Sequence, residues 1–304
     1  MRVTVTGATG LIGARLVAAL QRRGDEVTVL TRSPDRARSA LGDVEAVRWA
    51  DPEAEPAPAV ALAGRDGVVH LAGEPIAQRW SAAARERIRR SRETGTRNLV
   101  AALAQADPRP RVLVSASAVG YYGARGDEEL TEDAEPGRGF LAEVCAAWER
   151  EAQAAAAHGL RVVTVRNGIV LAARGGALAK MLPPFKAGIG GPVAGGRQYM
   201  PWIHLDDVVG IYLRALDDER WSGAVNGSAP APVTNREFSR ALGRVLRRPA
   251  FAPVPKLALV ALYGRMAEIV VTGQRAVPHR TLELGYDFAH RELEPALRSA
   301  LDRG

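Results

Sequence analysis

Three glycines near the amino terminus have the spacing of a phosphate-binding loop. Gly7, Gly10 and Gly13 follow the short apolar run Val3 to Thr6, and apolar residues then recur at helical spacing up to Gly24. In a strand–loop–helix unit, glycines permit a tight turn and a close backbone approach, and the free N–H groups of the first helical turn face an anion. The pattern predicts a dinucleotide pyrophosphate site. Its residues are Gly7, Thr9, Gly10, Leu11, Ile12 and Gly13.

The same glycine spacing occurs again at Gly120, Gly123 and Gly126. This second copy leads into the acidic, turn-rich stretch from Asp127 to Gly139 and not into an apolar helix. Because the spacing has meaning only between a strand and a helix, we predict that the amino-terminal copy binds the cofactor.

The residues after the second predicted strand indicate which dinucleotide binds. The strand Glu26–Thr31 is followed by Arg32 and Ser33, where an NAD site usually has Asp or Glu to hold the ribose hydroxyls. The guanidinium of Arg32 offers a planar set of donors suited to a phosphate. Thr31, Arg32 and Ser33 therefore predict NADP(H), and the alternative is that Arg32 is a solvated loop residue.

Further candidates follow the fourth and fifth predicted strands. The carboxyl ends of parallel strands gather at one edge of a sheet, and ligands bind at that edge. On this basis the predicted cofactor-binding residues also include Leu71, Ala72, Gly73, Glu74 and Ser115.

Several polar side chains near these ends could carry a proton, and each has a structural alternative. Tyr121 and Tyr122 either face the nicotinamide or pack as loop aromatics; of the two, Tyr121 is the predicted catalytic residue. Glu74 either orients ribose or substrate or caps a helix. His204 is either an acid/base group or a structural residue where lobe and sheet meet, with Asp206 capping the next helix.

Other reactive groups are sparse. Lys180 either meets an anionic substrate or lies in water. The single cysteine, Cys145, excludes a disulfide framework and a cysteine-cluster zinc site. No His/Cys/Asp/Glu cluster has metal-ligand spacing and no nucleophile elbow occurs, so we predict no metal centre.

These residues need a parallel sheet to bring them together. Apolar strands alternate with helical segments along the first 170 residues, which is typical of an α/β fold with a Rossmann-type doubly wound parallel sheet. After this point the sequence changes to Gly- and Pro-rich loops (Gly175 to Gly196) and then a helix near Asp206 to Leu216. We predict an NADP-binding domain over residues 1–170, with 203–228 returning to it, and a smaller C-terminal substrate lobe over 171–202 and 229–304.

Composition limits the class of partner. The chain has 304 residues, 47% of them hydrophobic, and a net charge of +7, which raises nucleic acid as a partner. The densest arginine run is 79–97, and no aromatic residue lies between Trp80 and Arg97 to stack a base, so a solvated helix is favoured. No targeting segment or spanning apolar run is evident. We predict a cytoplasmic monomer or homodimer that acts on a small-molecule substrate, without nucleic-acid or membrane partners.

Longer motifs resemble the "epimerase family" branch of the extended short-chain dehydrogenase/reductases. They are GATGLIG at 7–13, HLAGEPI at 70–76, SASAVGYYG at 115–123, GGALAKMLPPF at 175–185 and PWIHLDD at 201–207. The resemblance implies that the amino-terminal glycines hold the pyrophosphate and that Arg32 holds the 2′-phosphate of NADP(H). It also implies that Leu71 and Ala72 line the adenosine side and that Arg92 reaches the cofactor.

The chain departs from that family in one functional feature. Extended members carry Tyr-x-x-x-Lys on the helix after strand five, where the lysine lowers the tyrosine pKa and holds the nicotinamide ribose. No lysine of this chain has a tyrosine four residues before it. Leu141 and Cys145, or Phe140 and Val144, stand at the expected positions. The strand-five member of the group remains as Ser117, our second predicted catalytic residue, unless a one-residue shift places Ala118 there.

Three functions are compatible with these observations. The first is an NADP(H)-dependent oxidoreductase or epimerase acting on a small polar substrate, with proton transfer by a substituted group or by water. The second is a catalytically silent NADP(H)-binding regulator, which accounts directly for the missing pair. The third, a nucleic-acid binder, is favoured only by bulk charge.

Overall fold

The computed structural model describes residues 1–302, apart from the side chains of residues 256, 258, 262 and 263. In this part of the chain the strands are β1 (Arg2–Thr6), β2 (Glu26–Thr31), β3 (Glu45–Arg48), β4 (Gly67–His70), β5 (Val112–Ala118), β6 (Glu129–Leu130), β7 (Arg161–Asn167), β8 (Ile169–Leu171), β9 (Tyr199–Met200), β10 (Trp202–His204), β11 (Gly223–Gly227), β12 (Val233–Thr234) and β13 (Arg275–Ala276). The α-helices are α1 (Leu11–Arg22), α2 (Pro34–Leu41), α3 (Ala82–Gln105), α4 (Phe140–Gln153), α5 (Gly176–Lys186), α6 (Leu205–Asp217), α7 (Asn235–Leu246), α8 (Lys256–Tyr263), α9 (Ala267–Val271), α10 (His279–Glu283) and α11 (Leu293–Asp302).

The central sheet has seven strands, all parallel, in the order β3-β2-β1-β4-β5-β7-β11. The chain runs outward from β1 to β3, returns to β4 and then continues in the opposite direction, so the strand order reverses between β1 and β4. Ligands bind outside the carboxyl ends of the strands at such a switch point. This arrangement confirms the doubly wound α/β fold predicted from the alternation of strands and helices.

Helices cover both faces of this sheet. On one face, Leu16 and Leu20 of α1 pack with Ile211 of α6 against strand valines such as Val5. On the other face, Leu99 and Leu103 of α3 pack against β4 and β5. A sheet that is buried on both faces needs strands that are apolar throughout, and β4 and most of β5 are fully buried.

The fourth strand is shorter than its sequence suggests. The apolar run continues to Ala72, but β4 ends at His70. The N–H groups of Leu71 and Ala72 donate to the hydroxyl of Thr6, over 3.1 and 3.2 Å. A side chain of β1 therefore holds the backbone that follows β4 at the predicted ligand edge.

The segment from Gly175 to Gly196 was predicted to be loop, and this is wrong for its first half. Residues 176–186 form α5, which contains two prolines. Leu178, Leu182 and Phe185 recur at helical spacing and are buried, so tertiary packing outweighs the loss of backbone hydrogen bonds at the prolines.

The chain after β7 builds a second apolar core. Helices α5, α7 and α11 surround it, with Trp202, Phe238 and Leu297 fully buried at its centre. Within the described residues, no helix combines the length and the apolar character needed to cross a membrane. The division into two domains at the stated boundaries stays a prediction.

Candidate cofactor and active site

The loop after β1 is so tight that a larger residue does not fit at two of its positions. Gly7 has a φ of +65°, and a Cβ atom there would lie 2.6 Å from the carbonyl carbon of Leu71. At Gly13, a Cβ atom would lie 2.3 Å from the carbonyl oxygen of Gly7. Only glycine permits both the conformation and the approach. The loop therefore lies directly against the backbone that follows β4.

Helix α1 begins beside this loop with free backbone donors. Its N-cap is Gly10, no side chain caps it, and no acidic residue occupies its first turn. The first N–H groups of a helix have no acceptor within the helix, and the helix dipole adds positive potential there. This cradle of glycines and N–H groups fits a dinucleotide pyrophosphate, with Thr9, Leu11 and Ile12 in the loop or the first turn.

Arg32 lies next to the same loop. Thr6 at the end of β1 pairs with Leu30 of β2, so the chain passes the glycines as it leaves β2. The side chain of Arg32 is exposed, and no ion pair within residues 1–302 involves it. Thr31 accepts a hydrogen bond from the N–H of Ser33, over 3.2 Å. A guanidinium with no carboxylate partner beside the pyrophosphate cradle is suited to a second phosphate.

A buried polar chain fixes the end of β4. The hydroxyl of Thr6 lies 2.7 Å from Nδ1 of His70, and Nε2 of His70 lies 3.0 Å from the hydroxyl of Thr96 on α3. Because Thr6 accepts from both Leu71 and Ala72, its own proton goes to Nδ1. His70 therefore carries its proton on Nε2. Burial, together with the charge of Arg92, lowers the pKa of His70 to about 4, so the ring is neutral.

Helix α3 holds the segment after β4 through its side chains. The N–H of Glu74 donates to the hydroxyl of Ser91, and the guanidinium of Arg92 donates to the carbonyl of Glu74, both over 3.0 Å. The side chain of Glu74 accepts from Gln78. Glu74 caps no helix, because α3 begins at Ala82 with Ser81 as its N-cap. The capping alternative for Glu74 is therefore wrong.

Arg92 is a buried cation at this edge of the sheet. Only 7% of the residue is exposed, and its guanidinium lies 5.0 Å from the ring centre of Trp148. A Cβ atom on Gly73 would lie 3.1 Å from its Cζ atom. Burial lowers the pKa of Arg92, and no carboxylate in the described part of the chain forms an ion pair with it. The charge is held by backbone carbonyls and the Trp148 ring.

The two predicted strand-five serines are buried. Ser115 is fully buried within β5, and Ser117 is 2% exposed. The hydroxyl of Ser117 donates to Glu149 of α4 over 2.6 Å. Glu149 in turn receives two hydrogen bonds from Arg166 of β7, each of 2.9 Å. A role for Ser117 in catalysis stays a prediction, and as a proton donor it would have to leave Glu149.

The two tyrosines after β5 have different environments. Tyr122 is fully buried, donates to Asn226 over 2.7 Å and accepts from Arg166 over 2.9 Å. Burial raises its pKa to about 12. Tyr121 is partly exposed, and the guanidinium of Arg166 lies 3.6 Å from its ring centre. Burial also raises the pKa of Tyr121, against the opposing charge of Arg166. Tyr122 is thus the packed residue, and Tyr121 is the one available for chemistry.

In one of the two possible registers, Leu141 and Cys145 take the positions of the missing tyrosine and lysine, and these two residues face the turn that carries Tyr121. A Cβ atom on Gly120 would lie 3.3 Å from Cβ of Leu141 and 3.8 Å from Sγ of Cys145. Burial raises the pKa of Cys145 to about 12, so it is a neutral thiol and a poor nucleophile. Glu149 follows one helical turn later on the same face.

His204 has a structural contact of its own. It is the N-cap of α6 and its Nδ1 accepts from the N–H of Asp206 over 3.1 Å. The predicted cap, Asp206, is therefore wrong, and its carboxylate binds Arg15 over 2.8 Å. The ring of His290 lies over that of His204 with centres 3.7 Å apart. These two histidines and Asp206 each offer one ligand atom, and the three atoms lie within 4.8 Å of one another, so they could hold a metal ion. The absence of a metal centre therefore stays a prediction.

Lys180 is exposed, as its solvated alternative predicts, and it also has a contact within the chain. Its Nζ donates to the carbonyl of Ala77 over 2.7 Å. This contact joins α5 to the segment between Glu74 and α3. A Cβ atom on Gly176 would lie 3.1 Å from a methyl carbon of Leu11, so the start of α5 also lies against the start of α1.

The structure thus brings the predicted cofactor residues of β1, β2 and β4 to one edge, and Arg92 reaches it from α3. Sequence reasoning missed Thr6, His70, Glu149 and the role of Arg166. One signal was available, since Thr6, His70 and Arg166 are polar residues within otherwise apolar strands. The partner Glu149 lies four residues beyond Cys145 on α4, and its role required the tertiary contact.

The parallel strand order, the glycine cradle and the arginine beside it define a Rossmann-type dinucleotide-binding fold. The pattern of the NAD dependent epimerase/dehydratase family matches residues 3–226, and a domain of unknown function, DUF1731, matches residues 254–300. The chain belongs to this epimerase/dehydratase family and has the fold of an atypical extended short-chain dehydrogenase/reductase.

Relatives along the whole chain are epimerase family proteins. The chain is 42% identical to the chloroplastic "Epimerase family protein SDR39U1 homolog" of Arabidopsis thaliana, over 99% of this chain and 87% of that protein. It is 39% identical to "Epimerase family protein SDR39U1" of Bos taurus, over 99% and 100%. Among solved structures, human epimerase family protein SDR39U1 (isoform2) with NADPH matches with a TM-score of 0.87 and 35% identity, over 99% of both chains.

Proposed function

We propose that the protein binds NADP(H) and acts as an oxidoreductase or epimerase on a small polar substrate. The observation that carries the cofactor choice is the position of Arg32, beside the glycine cradle and without a carboxylate partner in the described residues. A carboxylate at this point would repel the 2′-phosphate, whereas a guanidinium binds it. The human relative crystallised with NADPH supports the same choice.

In this proposal the residues divide the work by position. The backbone of Gly7 to Gly13 and the start of α1 bind the pyrophosphate, and Arg32 binds the 2′-phosphate. Leu71 and Ala72 line the adenosine side, while Gly73, Glu74 and Arg92 form the wall next to them. Bound cofactor would supply hydride chemistry at its nicotinamide.

Proton transfer falls to Tyr121. Its raised pKa keeps the phenol protonated at neutral pH, so it is an acid and not a base under those conditions. Ser117 acts as a positioning residue, because its hydroxyl donates to Glu149 and holds that carboxylate in place. Among the described residues, the Tyr-x-x-x-Lys pattern supplies no lysine to lower the pKa of Tyr121. Because the protonated phenol can donate a proton but not accept one, reduction by NADPH is favoured over oxidation by NADP⁺ near pH 7.

One observation favours the second candidate, a catalytically silent NADP(H)-binding regulator. Leu141 and Cys145 fill the positions of the missing pair with apolar contacts against Gly120. A protein that senses NADP(H) without turning it over needs the cradle and Arg32 but needs no proton donor.

Calorimetry with NADPH and NADH tests the cofactor assignment. We expect the parent protein to prefer NADPH at least about tenfold, or about 1.4 kcal/mol. Arg32→Glu should reverse the preference, and Arg22→Glu, at the far end of α1, should leave it unchanged. Equal affinities for the two cofactors in the parent would refute the NADP(H) proposal. Turnover with a carbonyl and sugar-nucleotide panel supports the enzyme, and tight NADPH binding without any turnover supports the regulator.

A further inference from the structure

A cavity lies in the C-terminal part of the chain, away from the cofactor edge. Its volume is about 680 Å³, and five arginines line it: Arg236, Arg240, Arg244, Arg247 and Arg248. None of the residues proposed to bind NADP(H) contributes to its wall. The proposed function therefore gives this cavity no role.

Helix α7 arranges three of these arginines in one row. Arg236, Arg240 and Arg244 are spaced four residues apart, so they follow one another along the helix surface. The opposite face, with Phe238 and Leu242, is buried in the C-terminal core. Like charges at this spacing repel one another and destabilise a helix. If these residues served solubility alone, a row in which positive and negative side chains alternate would be more stable.

Few carboxylates compensate this charge. Arg244 pairs with Glu294 over 2.8 Å, and Arg236 donates to the carbonyl of Gly195. Glu237, the acidic residue on α7 itself, accepts from the backbone and hydroxyl of Thr234 in the capping box. Within residues 1–302, no ion pair involves Arg240, Arg247 or Arg248. Three guanidiniums thus line one cavity without a close ion pair, although the charge of Arg240 acts on the carboxylate of Glu237.

The rim of the cavity adds an aromatic ring. Phe251 lines the cavity and is 79% exposed. An exposed aromatic ring can stack with a nucleobase, and arginine side chains bind phosphates in a planar, two-point geometry. We propose that this cavity binds the polyphosphate chain of a nucleoside triphosphate, with Phe251 as the surface for the base. The polyphosphate supplies the negative charge that the arginines require, and the base supplies an aromatic face for Phe251.

The test is calorimetric titration of the intact protein with ATP and with inorganic triphosphate, at about 0.15 M salt. Saturating NADPH is present throughout, so that the proposed cofactor cradle is occupied. We expect ATP and inorganic triphosphate each to bind with a stoichiometry of one, at the same cavity. Arg240→Gln with Arg247→Gln should weaken both ligands by at least about tenfold, without changing NADPH affinity or the melting temperature. Phe251→Ala should weaken ATP and leave triphosphate unchanged.

A matched control removes the same charge elsewhere. Arg220→Gln with Arg291→Gln changes exposed arginines that pair with Asp218 and Asp287. This control should retain ATP binding. The proposal is overturned if the control loses as much affinity as the cavity variant, or if ATP binding is absent at about 1 mM. It is also overturned if a single-stranded oligonucleotide binds at least about tenfold more tightly than ATP.

Discussion

Glu149 of α4 and Arg166 of β7 form a two-point ion pair in the interior, with both hydrogen bonds at 2.9 Å. Their side chains are only 13% and 5% exposed. Ser117 donates to the same carboxylate, and both tyrosines after β5 contact the same guanidinium. The pair therefore joins helix α4, two strands and the turn that carries Tyr121, and it determines where that tyrosine lies.

Removing the Glu149 carboxylate should destabilise the protein strongly. Glu149→Ala leaves the charge of Arg166 buried without compensation, which costs about 3–5 kcal/mol of the free energy of unfolding. Urea denaturation measures this change. The control on the same helix is Glu143→Gln, an exposed carboxylate that pairs with Arg89, and it should cost less than about 1 kcal/mol. Similar losses in the two variants would show that the buried pair contributes no more to the free energy of unfolding than the surface pair does.

Tyr121→Phe should reduce turnover while leaving NADPH affinity nearly unchanged. A proton donor acts in the transition state and not in cofactor binding, and its loss typically costs about 10²-fold or more in rate. Since burial raises the pKa of Tyr121, the rate of reduction should hold from neutral to mildly alkaline pH, and oxidation should accelerate as pH rises.

Tyr122→Phe is the matched control for Tyr121. It removes the hydroxyl that bonds Asn226 and Arg166, so we expect a loss of about 1–3 kcal/mol in the free energy of unfolding. Turnover by the folded variant should persist. Full turnover in Tyr121→Phe would remove Tyr121 from the mechanism.

His70 should make stability depend on pH. Its native pKa is lowered from 6.5 to about 4, so between these values the unfolded chain binds a proton that the native protein does not. Its contribution to the free energy of unfolding is therefore complete above about pH 6.5 and is lost progressively as the pH falls to about 4, by up to about 3 kcal/mol.

Urea denaturation across this pH range tests the His70 prediction. His70→Asn removes the titrating ring. The slope of the free energy of unfolding against pH should then fall by an amount that corresponds to close to one proton. The control, His158→Asn, changes an exposed histidine and should keep the slope of the parent. An unchanged slope in His70→Asn would assign the pH dependence to other groups.

Restoring a lysine at Cys145 should fail because Arg92 already supplies a positive charge there. Cys145 is 3% exposed. Its thiol pKa is raised by burial and by the charge of Glu149, and the charge of Arg92 is close enough to oppose this rise. Cys145→Lys would add a second buried cation and should lower the free energy of unfolding by about 3 kcal/mol or more. Cys145→Ser is the control and should be tolerated far better.

A double-mutant cycle distinguishes charge repulsion from lost space. If repulsion dominates, Cys145→Lys should be less harmful in an Arg92→Leu background, and the two changes will not add. Strict additivity would show that Arg92 does not occupy the electrostatic place of the missing lysine. Urea denaturation of the four proteins gives the coupling energy.

Local signals in the chain were sufficient for the first half of the fold. The strand Glu26–Thr31 has the predicted bounds. Period-two and period-3.6 patterns are local, so they survive without tertiary information. The helix α5 was missed because its prolines signal a break, and only the core that Leu178 and Phe185 enter makes that helix stable.

The sequence by itself determined the glycine loop, the arginine after β2 and the absence of the tyrosine–lysine pair, because each depends on residue types at short spacing. The tertiary structure alone decided which groups are available for chemistry. Glu149 and Arg166 are 17 residues apart, and Thr6 and His70 are 64 apart, so neither contact leaves a local pattern. Burial and the partners brought by the parallel sheet then decide that Ser117 is bonded to Glu149, that His70 is neutral, and that Tyr121, and not Tyr122, is partly exposed.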